Sequence, residues 1–140
     1  MYFMVDNYDS FVYNLAAYMI ENGQSVLVRR ADLISFSEIK NWDLEGIIIS
    51  PGHKRPQDAV VSIKILKMYQ GMVPILGVCL GHQIIGQFYG ANVCRGSPCH
   101  GKITQVERNS RGIFTGLPIK YSVTRYHSLI VSEKDFPKTY

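Results

Sequence analysis

Val73-Pro74-Ile75-Leu76-Gly77-Val78-Cys79-Leu80-Gly81-His82-Gln83-Ile84-Ile85-Gly86-Gln87-Phe88-Tyr89-Gly90 reads as an apolar strand running into a helix. Val73 to Val78 is the strand. Gly81 to Tyr89 is the helix, with Ile84, Ile85 and Phe88 on its apolar face and Gly90 as its stop. Between them, Gly77-Val78-Cys79-Leu80-Gly81 has the Gly-x-nucleophile-x-Gly form of a nucleophile elbow. Two glycines leave room for a tight strand-to-helix turn. The helix N-terminus brings unpaired N–H groups and positive partial charge, which favour the reactive thiolate of Cys79. A structural cysteine between packing glycines is the plainer alternative, and the elbow context favours the nucleophile.

Working outward, the same alternation extends to the N-terminus. Strands are expected at Tyr2 to Val5, Ser25 to Arg29 and Gly46 to Ile49. Helices are expected after Ser10, which is placed to cap the first one, with Phe11, Leu15, Tyr18 and Met19 at helical spacing and Gly23 as the stop. A further helix runs from Ala59 to Gln70, and Phe36 to Lys40 forms about one turn. Strands alternating with helices at these lengths imply right-handed crossovers and a mostly parallel central sheet flanked by helices, an α/β fold. Such sheets carry their chemistry beyond the carboxyl ends of the strands. That singles out the loops Asp6 to Asp9, Ser50 to Pro56 and Cys79 to Gln83. Beyond them, Asn92 to Val106 and Ile119 to Val131 read as strands, joined by the turn-rich Gly112 to Pro118. No linker or repeat interrupts the chain, so residues 1–140 are expected to form a single domain.

The 140 residues are 46% hydrophobic and 19% charged, which suits a packed domain and excludes a disordered chain. The longest apolar run, Met72 to Leu80, is too short to span a bilayer, so no membrane partner is expected. Net charge is +4, but Lys and Arg are scattered along the chain, with Arg29-Arg30 and Lys54-Arg55 as adjacent pairs, and no nucleic-acid motif accompanies them. Three cysteines, an odd count, fit a reducing cytoplasm better than a disulfide framework. Cys94 and Cys99, with no second pair, match a zinc site poorly, and no nucleotide loop occurs, so neither metal nor cofactor is expected.

Two further stretches bear on chemistry. Ile47-Ile48-Ile49-Ser50-Pro51-Gly52 ends a strand in a turn that bares backbone N–H groups; one of these and the N–H of Leu80 could form an oxyanion hole. Asp6-Asn7-Tyr8-Asp9 could bind a metal or orient a substrate, and on composition it reads first as an Asx-type turn with a helix cap.

Taken together, five blocks resemble the class I glutamine amidotransferases, especially the glutamine-hydrolysing subunits of anthranilate and aminodeoxychorismate synthases. They are Val5 to Phe11 with Tyr13 to Leu15, Ile49 to Gly52, Gly77 to Gln83, Cys99 to Lys102 and Tyr126 to Leu129. The resemblance implies a flavodoxin-like fold. It also implies that Cys79 attacks the carboxamide of glutamine and forms a glutamyl thioester. Backbone groups at Gly52 and Leu80 would stabilise the oxyanion, and Gln83, Ser128 and Leu129 would help hold the substrate. Ammonia would pass to a larger chorismate-binding synthase subunit, with His100, Gly101 and Lys102 near that partner. Two departures stand out. The family has Gly-Pro-Gly where this chain has Gly52-His53-Lys54, a costly change if the backbone at Lys54 needs a positive φ. The family's His and Glu lie beyond the Tyr126 to Leu129 block, whereas this sequence stops at Tyr140. The expectation is therefore a C-terminally truncated domain of weak activity, or alternatively a binding partner that steadies the synthase without catalysis.

Overall fold

The structure is a computed structural model that describes residues 1–96, 101–109, 111–132 and 134. The four expected N-terminal strands form one parallel sheet. They are Tyr2–Asn7 (β1), Val26–Arg30 (β2), Gly46–Gly52 (β3) and Ile75–Gly77 (β4), in the order β2-β1-β3-β4. Phe3 stands level with Leu27 on one side and Ile47 on the other. Central strands of a parallel sheet are covered on both faces and so read as continuous apolar runs. Accordingly, Phe3, Val5, Ile47 and Ile49 point to one face, and Met4 and Ile48 to the other.

The helices Val12–Glu21 (α1), Phe36–Ile39 (α2), Val60–Tyr69 (α3) and Leu80–Phe88 (α4) cover those faces. Val12 and Ala16 of α1 pack on Met4 and Ile48. Ile39, Ile65, Leu66, Leu80 and Ile84 of the other three pack on Phe3, Val5, Ile47 and Ile49. The expected α/β fold with a parallel, helix-flanked sheet is therefore present, and every buried hydrophobic residue described lies between Phe3 and Ala91.

Several boundaries differ from the sequence expectation. Helix α1 starts at Val12 with Phe11 at its N-cap and no side-chain cap, so Ser10 does not cap it, and Asp9 holds the turn that leads in. The Asp9 carboxylate accepts from the Phe11 N–H at 2.9 Å, and the Asp9 carbonyl accepts from Val12 at 3.4 Å. Strand β4 is shorter than Val73 to Val78 because Pro74 has no N–H to give the ladder, although its carbonyl still accepts from Ile47. The two long C-terminal strands are each broken, since their halves pair with different partners. Val93–Arg95 (β5) pairs with Leu129–Val131 (β8), while Lys102–Glu107 (β6) pairs with Lys120–Arg125 (β7).

Among the described residues the chain divides into two compact units, Met1–Val93 resuming at Val131, and Cys94–Ile130. The second is built on the antiparallel β6–β7 ribbon, in which Thr104 faces Val123 and Lys120 reaches Glu107 at 3.6 Å. A single 3-10 turn, Gly112–Phe114, lies in the connection between its strands. Among the described residues no helix is long and apolar enough to cross a membrane.

Candidate active site

The elbow forms as its glycines require. Cys79 sits at φ +52° and ψ −104°, one of two non-glycine residues with positive φ among those described. Such a backbone costs about 1–3 kcal/mol and persists only where its surroundings enforce it. They do so by close approach. A Cβ on Gly77 would fall on the backbone of Gly81 and His82, and one on Gly81 would fall on the Ile49 carbonyl. Val78 donates to that same Ile49 carbonyl at 3.0 Å, and Gln83 donates its N–H to the Cys79 carbonyl at 3.1 Å. The turn is thus bonded to β3 on one side and to α4 on the other.

The thiol of Cys79 is solvent-accessible, yet the protein packed around its base desolvates it and pushes its pKa up. The Leu80 N–H, hydrogen-bonded to it, pulls the pKa down by less, and the negative charge of Asp9 adds to the rise. This corrects the expectation of a favoured thiolate. The helix terminus does act on the sulfur, but desolvation outweighs it.

Opposite the elbow, β3 ends in a bulge. Val5 pairs with Ile49 but Asn7 pairs with Gly52, so β3 holds one residue more than β1 across this interval. Pro51 lies in the bulge, where its missing N–H is tolerated. A buried polar network holds the segment. Asn7 N–H donates to Ser50 Oγ at 2.9 Å, Asn7 Nδ2 donates to the Ser50 carbonyl at 3.3 Å, and Ser50 Oγ donates to the Pro51 carbonyl at 2.8 Å. From α3, Ser62 Oγ donates to Asn7 Oδ1 at 2.8 Å. Gly52 is pressed between Asn7 and Leu80, so that an added Cβ would lie 2.7 Å from Leu80 Cδ2 and 2.8 Å from the Asn7 carbonyl. The structure therefore brings together Gly52 and Leu80, the two residues expected to flank an oxyanion. Lys54 does not take a positive φ, so the penalty expected for replacing glycine there does not arise. His53 and Lys54 are both exposed.

The Asp6 to Asp9 loop is the Asx-type turn. Tyr8, at φ +67°, donates its N–H to Asp6 Oδ1 at 2.7 Å. The Arg30 guanidinium lies 4.5 Å from the centre of the Tyr8 ring and 3.7 Å from the Asp32 carboxylate. A hydrogen bond from Tyr8, then Arg30, holds the Asp32 carboxyl below the ordinary range. Among the described residues no three metal-ligating side chains converge.

The remaining expected residues are distributed as follows. Gln83 is buried on α4, one turn past Cys79. Ser128 and Leu129 belong to the second unit, where the Ser128 carbonyl accepts from Gly96 at 2.8 Å and the Leu129 carbonyl lies 2.8 Å from His127 Nδ1. In the same unit Gly101, at φ +64°, precedes Lys102 at the start of β6. His100 and Cys99 lie outside the described residues. Sequence reasoning missed Asn7 and Ser62 as partners of the Ser50 to Gly52 segment. The available signal was a lone serine at helical spacing with Ile65, Leu66 and Tyr69 on the buried face of α3.

An accessible cysteine on a strained turn at a helix N-terminus, with a backbone N–H at its sulfur, is equipped for acyl transfer. The sequence profile of the family described as Glutamine amidotransferase class-I matches residues 3–140. The chain belongs to the class I glutamine amidotransferase family. Among curated relatives, the aminodeoxychorismate synthase component 2 of Escherichia coli (strain K12) is 43% identical over 138 residues, which cover 98% of this chain and 74% of the relative. The anthranilate synthase component 2 of Cyanophora paradoxa is 44% identical over 138 residues, covering 98% and 73%. Among solved structures, a Thermoplasma acidophilum protein described as belonging to a GMP synthase superposes with a TM-score of 0.80 at 26% identity, covering 98% of this chain and 68% of the other. The amidotransferase domain thus has the family's flavodoxin-like architecture, with Cys79 at its elbow.

Proposed function

We propose that this amidotransferase hydrolyses glutamine at Cys79 and hands the ammonia to a larger, chorismate-using synthase subunit, serving anthranilate or aminodeoxychorismate synthesis. The observation that carries the reading is the elbow itself: Cys79 at positive φ, with the Leu80 N–H at its sulfur and Gly52 packed against Leu80. The Cys79 sulfur attacks the carboxamide carbon, and the carbonyl oxygen takes up negative charge between the backbone groups of Gly52 and Leu80. As the tetrahedral species collapses, the carbon–nitrogen bond breaks. The nitrogen leaves as ammonia with the proton that came from the thiol. Water then cleaves the glutamyl thioester, releasing glutamate and restoring the thiol. In this reading Gln83, one turn past Cys79, helps hold the glutamine, and Gly101 and Lys102 face the synthase. A reducing cytoplasm suits the free thiol.

The relatives' names support the choice of synthase, since both are second components of synthases named for chorismate-derived products. The deciding experiment is Cys79→Ser in complex with the larger synthase chain. Glutamine-dependent synthesis should disappear while synthesis from added ammonia persists. Loss of both together would overturn the proposal. A complex that forms but never releases glutamate, even as wild type, would favour the non-catalytic partner instead.

A further inference from the structure

We infer that Ser62 and Asn7 are positioning residues that set the β3 bulge, and through it the Gly52 side of the oxyanion site. This rests on the reading of Cys79 as the nucleophile. Three elements meet in the network: the end of β1 at Asn7, the bulge at Ser50 to Gly52, and the first turn of α3 at Ser62. All three polar side chains are buried, with exposures of 3% for Asn7 and 0% for Ser50 and Ser62.

The bonds run in one direction. The Ser50 carbonyl, which only accepts, takes the Nδ2 end of the Asn7 amide, and Ser62 Oγ donates to the Oδ1 end and pins the amide against α3. Beside it the Asn7 N–H donates to Ser50 Oγ. Ser50 Oγ accepts from the Asn7 N–H and donates its own O–H to the Pro51 carbonyl. That carbonyl belongs to the peptide whose N–H is the Gly52 donor. A peptide unit is planar, so fixing the direction of its C=O fixes the direction of its N–H. Ser62, which does not itself reach the reacting atoms, thus orients the Gly52 N–H through two intermediaries. A bulge is a natural place for such control, because its extra residue leaves a peptide that the ladder does not orient.

The test is Ser62→Ala in the full chain with its larger synthase partner. Removing one oxyanion donor costs about 10²–10³ in kcat, so misdirecting one should cost about 10–100-fold. KM for glutamine should stay within about threefold, because the ground-state amide gains little from this donor. Alkylation of Cys79 by iodoacetamide, a displacement at carbon that forms no oxyanion, should stay within about twofold. Asn7→Asp keeps the acceptor for Ser62 but sets a carboxylate oxygen against the Ser50 carbonyl, so it should lose turnover as Ser62→Ala does. An unchanged kcat in Ser62→Ala, or an alkylation rate that falls in step with kcat, overturns the inference. One readout is independent of catalysis. Amide exchange at Asn7 should accelerate more than about tenfold in Ser62→Ala, and unchanged exchange sinks the clamp even if the wild type releases no glutamate. A silent wild type with accelerated exchange in the variant would instead remove the assigned reaction and keep the clamp.

Discussion

Gly81→Ala should be among the most damaging single methyl additions available to this chain. Built on the native backbone, the new Cβ falls on the Ile49 carbonyl, lies 2.8 Å from its carbon and 3.0 Å from the Ile49 Cβ. Neither neighbour is the flexible end of a side chain, so α4 and β3 must part. Forcing a methyl group into a packed interior costs typically 1–3 kcal/mol. The same Ile49 carbonyl accepts from Val78 at 3.0 Å, and moving it strands a polar pair, for about 1–3 kcal/mol more. Alanine returns at most about 1 kcal/mol through its better helix propensity. The net loss is about 3 kcal/mol, against a total stability of roughly 5–15 kcal/mol for a domain. At about 3–4 °C per kcal/mol for a chain of this size, the melting temperature should fall by about 10 °C. The comparison is Gly86→Ala on the same helix, whose Cβ would meet only the Val131 side chain at 3.0–3.1 Å. There helix propensity and mild crowding nearly cancel, and the melting temperature should move by less than about 3 °C. Thermal unfolding followed by circular dichroism checks both. If Gly81→Ala melts within about 2 °C of wild type, the close crossing of α4 over β3 is not what holds the elbow.

Further outcomes are expected. The rate of Cys79 alkylation should rise with pH to a midpoint above the ordinary thiol value of 9.0, since desolvation disfavours the thiolate. Asp9→Asn, which keeps an oxygen for the Phe11 N–H but removes the charge, should lower that midpoint, and no shift would discount Asp9. Because folding raises this pKa, the stability tied to the neutral thiol is held below the unfolded value and lost as pH rises through the folded one, so the denaturant midpoint of wild type should fall on the alkaline side by more than that of Cys79→Ser. Lys54→Gly should bring no gain in turnover and lower stability by about 0.4–1 kcal/mol, since the native backbone there is not left-handed and the unfolded chain becomes freer; a stabilised variant contradicts this. Phe3→Ala should cost about 3–5 kcal/mol, read as a drop in urea midpoint, because Phe3 is fully buried and its ring meets Trp42 edge-on at 5.3 Å.

The legible parts of this sequence were those where one physical demand dominates. The Ile47 to Ile49 run is apolar on both alternating faces, and only a central parallel strand satisfies that. The Cys79 turn was legible because glycines on both sides answer a spacing requirement that the fold then shows as near contact. Where two residues compete for one role, composition could not decide. Ser10 is a good cap by type, but the loop places Phe11 at the N-cap and uses the Asp9 carboxylate to bond the Phe11 N–H. The state of the Cys79 thiol was misread for a related reason. A helix N-terminus is visible in sequence, whereas the burial that outweighs it exists only once the chain has folded around the thiol. Ser62 went unnoticed because its partner lies 55 residues away. Pro51 within a strand was a clue to the bulge left unused, since a proline there cannot serve a regular ladder.

The angle at Cys79 has a consequence for anyone who would evolve this protein. At φ +52°, a glycine would rest where the cysteine is forced, and Cys79→Gly should recover part of the roughly 1–3 kcal/mol held in that turn. A library screened for heat tolerance alone would therefore be drawn toward discarding the thiol, improving the scaffold by emptying it of chemistry. Laboratory selection on this chain has to reward turnover in every round, because at this one residue durability and reactivity pull in opposite directions.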